Sequence, residues 1–261
     1  MPSESRSAGV IEADAEALAT RRYLDSSRVS DDGRALRLAT WNPTLADAHP
    51  HFFEGRLRKP RLASELLTAV HAVVSSRFFV PANTLEKVLA AADPVVTLGD
   101  GVLRFEGFSA CCSAYVRVDL LPSSYDGDVV GKGTTNVDFN APMRAALARV
   151  RDAGGLALSV GGDALELRSH ADHVVEKKVD LPVRWLRSMV EVQSFQAAMS
   201  RRFEVSGVEA LRFLRSLPRA STSKTPLWVS LGPHGLRSNT RESPGAVRIV
   251  EVTRVRALEP L

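Results

Sequence analysis

Three polar residues in the second half of the chain have the types and spacing of a metal-dependent nuclease site. Asp163 lies in a predicted turn, and Glu176 and Lys178 follow as an E-x-K pair in one predicted strand. Alternate residues of a strand share a face, so Glu176 and Lys178 would lie side by side. In such nucleases, two carboxylates hold Mg²⁺ and the lysine orients water. Cross-strand charge pairing on an exposed sheet explains the same residues, and the sequence favours this second interpretation.

Cysteine and histidine, the usual zinc ligands, are few and unfavourably spaced. The two cysteines are adjacent in a segment predicted to be extended, where successive side chains point to opposite faces. The histidine pairs lie in predicted loops without a nearby cysteine. Zinc needs four protein ligands, or three and a water. We therefore expect no metal site, a packing role for the cysteines and solvated positions for the histidines. The residues concerned are Cys111, Cys112, His49, His51, His170 and His173.

The glycine-rich segment 127–136, GDVVGKGTTN, is similar to a phosphate-binding loop but departs from its pattern. Gly127 and Gly131 are one residue too close for G-x-x-x-x-G-K-[ST], and Gly133 occupies the position of the magnesium-binding hydroxyl. ATP binding is therefore not expected. The chain also lacks G-x-S-x-G and H-E-x-x-H. The absence of an assembled catalytic motif favours a binding module over an enzyme.

Arginine is the remaining candidate for recognition chemistry. The formal net charge is +4 and the sequence pI is about 9.3, a weak preference for acidic partners. If several arginines share one face, they form a phosphate-binding surface; if they scatter, they are ordinary ion-paired positions. No aromatic residues interleave with them, so stacking on single strands is not predicted. The candidates for a basic surface are Arg144, Arg149, Arg201, Arg202, Arg212, Arg215 and Arg219.

The elements that must position these residues follow from hydrophobic periodicity. Turn signals and alternation predict strands at 35–40, 95–98, 102–108, 114–120, 134–139, 156–160, 164–168, 173–179, 227–231 and 247–252. Helical spacing predicts helices from Pro60 onward and at about 83–92, 142–151, 183–199 and 208–217. The segments 41–55 and 121–128 are predicted loops. Hairpins dominate over βαβ units, which indicates an α+β fold of mainly antiparallel hairpins with about five helices.

The domain organisation is predicted to be simple. Residues 1–34 are polar and are expected to be flexible, and residues 35–261 form one α+β region with a possible sub-boundary near 220–226. There is no apolar run of about 18 residues and no signal-peptide pattern. With only two cysteines, no disulfide framework is expected. These features predict a cytoplasmic protein without a membrane partner.

Four long stretches, at 39–55, 93–121, 131–150 and 174–193, carry a resemblance to a known family. They resemble the region that precedes the zinc motif in bacterial SWIM-type zinc-finger proteins, and the likeness extends over about residues 35–260. The resemblance implies protein or nucleic-acid binding and a zinc site of the pattern C-x-C…C-x-H. Neither half of that pattern occurs in this sequence. Zinc is therefore expected only if a SWIM motif follows Leu261.

Taken together, residues and resemblance predict a non-enzymatic binding or adaptor module. A protein partner is expected, and nucleic-acid binding is expected to be weak. The alternative is a metal-dependent nuclease that uses Asp163, Glu176 and Lys178. No cofactor is expected in this chain.

Overall fold

The fold is taken from a computed structural model that describes residues 28–29, 35–37, 51–76, 93–179, 181–219 and 226–261. Only the backbone of 28–29, 35–37 and 182–184 belongs to this description. The predicted helix at 83–92, most of the polar amino terminus and His49 lie outside the described residues.

The described residues contain fifteen strands and five α-helices. The strands are β1 (Arg28–Val29), β2 (Ala35–Arg37), β3 (His51–Leu57), β4 (Val95–Gly99), β5 (Val102–Phe108), β6 (Tyr115–Leu120), β7 (Tyr125–Val129), β8 (Gly133–Asn136), β9 (Leu156–Gly161), β10 (Ala164–Ser169), β11 (His173–Lys177), β12 (Leu181–Pro182), β13 (Leu227–Gly232), β14 (Gly235–Asn239) and β15 (Val247–Ile249). The helices are α1 (Pro60–Val74), α2 (Ala141–Arg149), α3 (Val183–Ala198), α4 (Gly207–Ser216) and α5 (Val252–Arg256).

The strands form antiparallel sheets, which confirms the predicted α+β class. A five-stranded sheet has the order β11-β10-β9-β3-β7, and a four-stranded sheet has the order β6-β5-β4-β8. Two small sheets, β1-β2-β12 and β14-β13-β15, complete the described strands. Most neighbours in these sheets are also neighbours in sequence, as expected for hairpins.

The main core lies where α1, α2 and α3 meet the two large sheets. Proline is tolerated in the first turn of a helix, and α1 accordingly begins at Pro60. The helix buries Leu67, Val70 and Val74 at helical spacing, which places one apolar face against the sheets. Trp185 anchors the start of α3 and is fully buried. Its ring lies 5.8 Å from that of Phe108, with an edge-to-face orientation.

A smaller second core holds the carboxyl-terminal elements together. Phe213 from α4 and Leu217, which follows the helix, pack with Val229 from β13 and Val252 from α5. Ser206 caps α4 in a reciprocal capping box with Glu209. This second core joins residues from before and after the stretch 220–225.

Three strands occupy segments that were predicted as loops. The predicted loop at 41–55 ends in β3, and the predicted loop at 121–128 contains most of β7. The glycine- and proline-rich segment between the predicted strands 227–231 and 247–252, also expected to be a loop, contains β14. β3 has a register shift between His51 and Phe53, so its adjacent phenylalanines are both buried and regular alternation begins only at Phe53. β7 and β14 are edge strands, and polar residues are common at such edges. The predicted strand at 247–252 ends at Ile249, and Val252 begins α5.

None of the helices among the described residues is both long enough and apolar enough to cross a membrane.

Candidate functional site

A groove of about 880 Å³ opens between the β5–β6 turn and α5. Its lining is mainly apolar and comes from the end of α1, from β6 and from the carboxyl-terminal residues. The apolar residues that line it are Val73, Ala114, Val116, Val250, Val255 and Leu258. Cavities of this size and character are typical of ligand-binding sites.

The β5–β6 turn forms one wall of the groove and is held by its own hydrogen bonds. The Ser109 amide donates to the Ala114 carbonyl at 2.8 Å, and the Ser109 hydroxyl accepts from the Ser113 amide at 3.2 Å. Cys112 has a φ of 55°, a left-handed conformation that a non-glycine residue adopts rarely. The Ala110 amide also donates to the Ser76 carbonyl at 3.0 Å, which ties the turn to the end of α1. The sequence predicted an extended segment here, and that prediction was wrong.

Arg254 forms the polar floor of this groove, and only 8% of its surface is exposed. Its Nε donates to the Ser76 hydroxyl at 3.0 Å, its Nη1 to the Ser113 hydroxyl at 2.8 Å and its Nη2 to the Cys111 sulfur at 3.0 Å. In the described part of the chain, no carboxylate forms an ion pair with it. Burying a cation without an anion is costly. The guanidinium therefore carries a buried positive charge that no described carboxylate balances.

The second cation at the groove, Arg117, already has a carboxylate partner in the chain. The Arg117 Nε donates to Asp119 Oδ1 at 2.9 Å, and Arg104 donates to the same carboxylate at 2.8 Å. The hydrogen bond from Arg117, together with Arg104, holds the pKa of Asp119 well below its usual range. Glu251 also lines the groove. Among the described lining residues, Arg254 is thus the buried cation without a carboxylate.

A second groove, of about 530 Å³, lies between α1, α2 and the carboxyl terminus, and it lacks this feature. The Arg61 Nε bonds to Glu65 at 2.8 Å. Arg256 donates to the carbonyls of Leu214 and Leu217 at 2.9 and 2.7 Å. The cations of the second groove are therefore used by the chain itself, and the first groove is the better candidate site.

The nuclease candidates do not converge in the described structure. Glu176 is 3% exposed, and Asn140 donates to its Oε2 at 2.7 Å. Asp163 is exposed in the β9–β10 turn, where its carbonyl accepts from the Lys178 amide at 2.8 Å. Burial, together with the negative charge of the neighbouring Asp138, raises the pKa of Glu176 to about 7. No group of three or more His, Cys, Asp or Glu among the described residues could hold a metal ion.

Two of the histidines lie on strands: His51 begins β3 in a segment predicted as a loop, and His173 begins β11 at the start of the predicted strand 173–179. His51 on β3 places its Nε2 3.6 Å from Glu166 Oε1, and His173 on β11 places its Nε2 3.3 Å from Oε2 of the same carboxylate. Partial burial opposes ionisation of Glu166, but hydrogen bonds from Arg168 and His173 outweigh it and lower its pKa. His170 is exposed in the β10–β11 turn, as predicted.

The two cysteines have different surroundings. The Cys111 sulfur is 3.1 Å from the Ser113 hydroxyl and contacts Arg254 at the groove floor. Cys112 packs against the main core. Neither Arg254 nor its partners Ser76 and Ser113 stood out in the sequence. No motif marks them, because the contacts join residues more than 140 positions apart.

The predicted basic residues are partly used in structural contacts. Arg149 binds Asp172 through two hydrogen bonds, of 3.0 and 2.5 Å, and Arg201 pairs with Glu204 at 2.8 Å. The other contacts are Arg215 with Glu259 at 3.9 Å and Arg144 with the Phe139 carbonyl at 2.8 Å. Arg202, Arg212 and Arg219 are exposed. α4 ends at Ser216, so Arg212 and Arg215 share a helical face that does not include Arg219.

Comparisons with known proteins leave the family open. No protein-family model matches the chain, and no curated protein sequence matches it. Among solved structures, a DnaN sliding clamp (DNA polymerase III subunit beta) from Bartonella birtlesii, bound to griselimycin, matches with a TM-score of 0.37 and 12% sequence identity. The match covers 71% of this chain and 46% of the clamp chain, so the chain spans less than half of the clamp's length. A likeness this distant carries no argument about function.

Proposed function

We propose that this chain is a non-enzymatic binding module that receives a short segment of a partner protein in the groove between the β5–β6 turn and α5. The observation that carries the proposal is the buried guanidinium of Arg254 on the floor of an open, largely apolar groove. The resemblance to the region that precedes the SWIM motif likewise implies binding and no known reaction.

The chemistry of the lining supports binding over catalysis. The groove contains a thiol, Cys111, and a hydroxyl, Ser113, but the described lining residues include no histidine. A cysteine or serine nucleophile ordinarily needs an adjacent base held by a third group. In this groove both side chains instead accept hydrogen bonds from Arg254. Ser113 and Cys111 therefore orient the guanidinium of Arg254.

The proposed occupant is a segment of a protein with apolar and acidic residues. The apolar lining comes both from β6 and from the carboxyl-terminal residues, which suits insertion of side chains from an extended or helical segment. Its buried charge is positive, so an acidic segment is complementary. A basic segment would bring a second cation to an already buried one.

A peptide selection tests the proposal without knowledge of the natural partner. Peptides from a random phage-displayed library would be selected on the immobilised chain and then measured in solution by fluorescence anisotropy. Leu258→Asp places a charge in the apolar lining at a residue that is 45% exposed. Leu121→Asp is the matched control, because Leu121 is 52% exposed and does not line the groove.

We expect selected peptides to lose affinity by about tenfold or more for Leu258→Asp and to bind Leu121→Asp as they bind the unchanged chain. Failure to select any peptide, or equal losses in both variants, would contradict the proposed binding groove.

A further inference from the structure

We propose that Arg254 is the specificity-determining residue of the groove, and that the group it recognises is a single carboxylate carried by an otherwise apolar segment. This inference rests on the proposed function, because it names the chemistry of the partner at the same site. Arg254 in the chain and the carboxylate in the partner can each be replaced separately.

An anion is required by the surroundings of the guanidinium. Arg254 is buried, and its described partners are the hydroxyls of Ser76 and Ser113 and the sulfur of Cys111. Hydroxyl acceptors satisfy the geometry of the N–H groups but do not supply a full opposing charge. Charge-assisted hydrogen bonds are roughly twice as strong as neutral ones. A ligand that offers a negative oxygen therefore gains more at this floor than an uncharged ligand.

The geometry suits the planar fork of a carboxylate. Nη1 and Nη2 contact Ser113 and Cys111, both of which line the groove. Nε contacts Ser76, which is absent from the described lining. A carboxylate that enters from the groove takes the two terminal nitrogens in place of Ser113 and Cys111. Ser76 keeps its hydrogen bond to Nε, and its role is to position the guanidinium.

A singly charged group fits better than a phosphate. The charge of Arg117 is committed to Asp119, and Glu251 adds a negative charge to the rim. Among the described residues that line the groove, Arg254 is the buried cation without a carboxylate partner, and one carboxylate balances its single charge. A phosphorylated side chain carries about −1.5 to −2 at neutral pH and would leave an uncompensated charge in an apolar groove. The apolar lining instead selects apolar residues beside the acid.

The decisive experiment pairs a change in the peptide with a change in the chain. A peptide that binds in the groove would be compared with its form in which each acidic residue is replaced by the corresponding amide. Both would be measured on the unchanged chain and on Arg254→Met, which keeps the length of the side chain but removes its charge. Arg117→Met is the control, because Arg117 also lines the groove but is paired with Asp119.

We expect the amide peptide to bind the unchanged chain about tenfold or more weaker than the acidic peptide, since the amide cannot form the charge-assisted hydrogen bonds of the carboxylate. On Arg254→Met the two peptides should bind equally weakly, whereas Arg117→Met should retain the preference for the acid. Equal affinity of the two peptides for the unchanged chain would overturn the inference. A phosphoserine peptide that binds tighter than the acidic peptide would overturn it as well.

Two further measurements keep the test decisive if Arg254→Met does not fold. Arg254→Lys retains the charge but not the fork, and the preference for the acid should fall without vanishing. In a Cys112→Ser background, Cys111 is the single cysteine. The acidic peptide should slow alkylation of Cys111 by iodoacetamide, and the amide peptide at the same concentration should slow it much less. Peptides that require Leu258 but are indifferent to the acid would leave the binding groove standing and remove only the role of Arg254.

Discussion

The carboxyl groups of Asp93 and Asp138 hydrogen-bond to each other. Asp93 lies two residues before the start of β4, and Asp138 lies two residues after the end of β8. The register explains this contact: Val95 pairs with Asn136 in antiparallel strands, so the residue two before Val95 faces the residue two after Asn136. Two ionised carboxylates directly opposite each other repel. The pair is therefore stable when one carboxyl carries a proton.

The same cluster includes Glu176 from β11, whose Oε1 is buried with no hydrogen-bond partner among the described residues. Burial and Asp138 raise the pKa of Asp93 to about 8, and the same two causes raise the pKa of Glu176 to about 7. Both groups bind protons more tightly in the folded chain than in the unfolded chain, where carboxylates titrate near pH 4.

We predict that this cluster makes the chain less stable as pH rises through neutrality. Because the folded state binds the extra protons, the stabilisation is fully present below the unfolded pKa values. It is lost between those values and the folded values of about 7 and about 8. The free energy of unfolding, measured by urea denaturation in a pH series, should fall across this window.

Asp93→Asn tests the assignment, because asparagine can donate to Asp138 without ionising. Near neutrality, the free energy of unfolding of this variant should depend less steeply on pH, by up to about 1.4 kcal/mol per pH unit. Asp163→Asn is the control, since Asp163 is an exposed carboxylate in a turn. An unchanged pH profile in Asp93→Asn would show that the proton is held elsewhere.

The hairpins were predictable from sequence because their information is local. The Gly99-Asp100-Gly101 turn and the alternation after it predicted β4 and β5, and the turns at 161–163 and 169–172 predicted the meander of β9 to β11. The partners of Asp93 and Arg254 were not predictable. The first depends on the register of two strands about 40 residues apart, and the second on α5 packing against a turn about 140 residues earlier in the chain.

The pairing of β3 with the edge strand β7 depends on a close approach of two glycines, and we predict that it tolerates no side chain there. Gly55 on β3 lies opposite Gly127 on β7. A Cβ on Gly127 would overlap the Glu54 carbonyl, which is backbone and cannot rotate away. Gly127→Ala should therefore destabilise the chain by about 1–3 kcal/mol. Gly99→Ala is the control, because a Cβ there would meet no atom within 4 Å.

Thermal and urea unfolding would measure both glycine variants. If Gly127→Ala is as stable as Gly99→Ala, the prediction is wrong. The edge strand β7 would then pair only weakly with β3 and could move away from it at little cost.

The nuclease alternative predicts magnesium-dependent cleavage of DNA, whereas the proposed binding module should not cleave DNA. Purified chain incubated with plasmid DNA and Mg²⁺ should leave the plasmid intact, because Glu176 is buried beside Asp138 and Asn140 whereas Asp163 is exposed. Magnesium-dependent nicking that disappears in both Glu176→Gln and Lys178→Met would establish the nuclease. Asp163→Asn would then show whether the exposed turn contributes.

Duplex DNA should bind weakly and with strong dependence on salt. Of the seven candidate arginines, Arg149 and Arg201 form hydrogen-bonded ion pairs, and Arg144 and Arg215 also have partners in the chain. Phosphate contacts act mainly through counterion release, and each would add about 0.9 to the slope of log K against log salt.

A few remaining exposed arginines therefore predict a nonspecific Kd of about 10⁻⁴ to 10⁻⁶ M at physiological salt. The measurement is fluorescence anisotropy of a labelled duplex in a salt series. Arg202→Ala and Arg212→Ala should each lower the slope by about one contact at most, whereas Arg149→Ala should change the slope little, because its charge is engaged by Asp172. Nanomolar binding that persists at about 200 mM salt would identify a dedicated DNA-binding surface, since a few exposed charges lose most of their affinity there. The groove at Arg254 would then have to be tested as a secondary site.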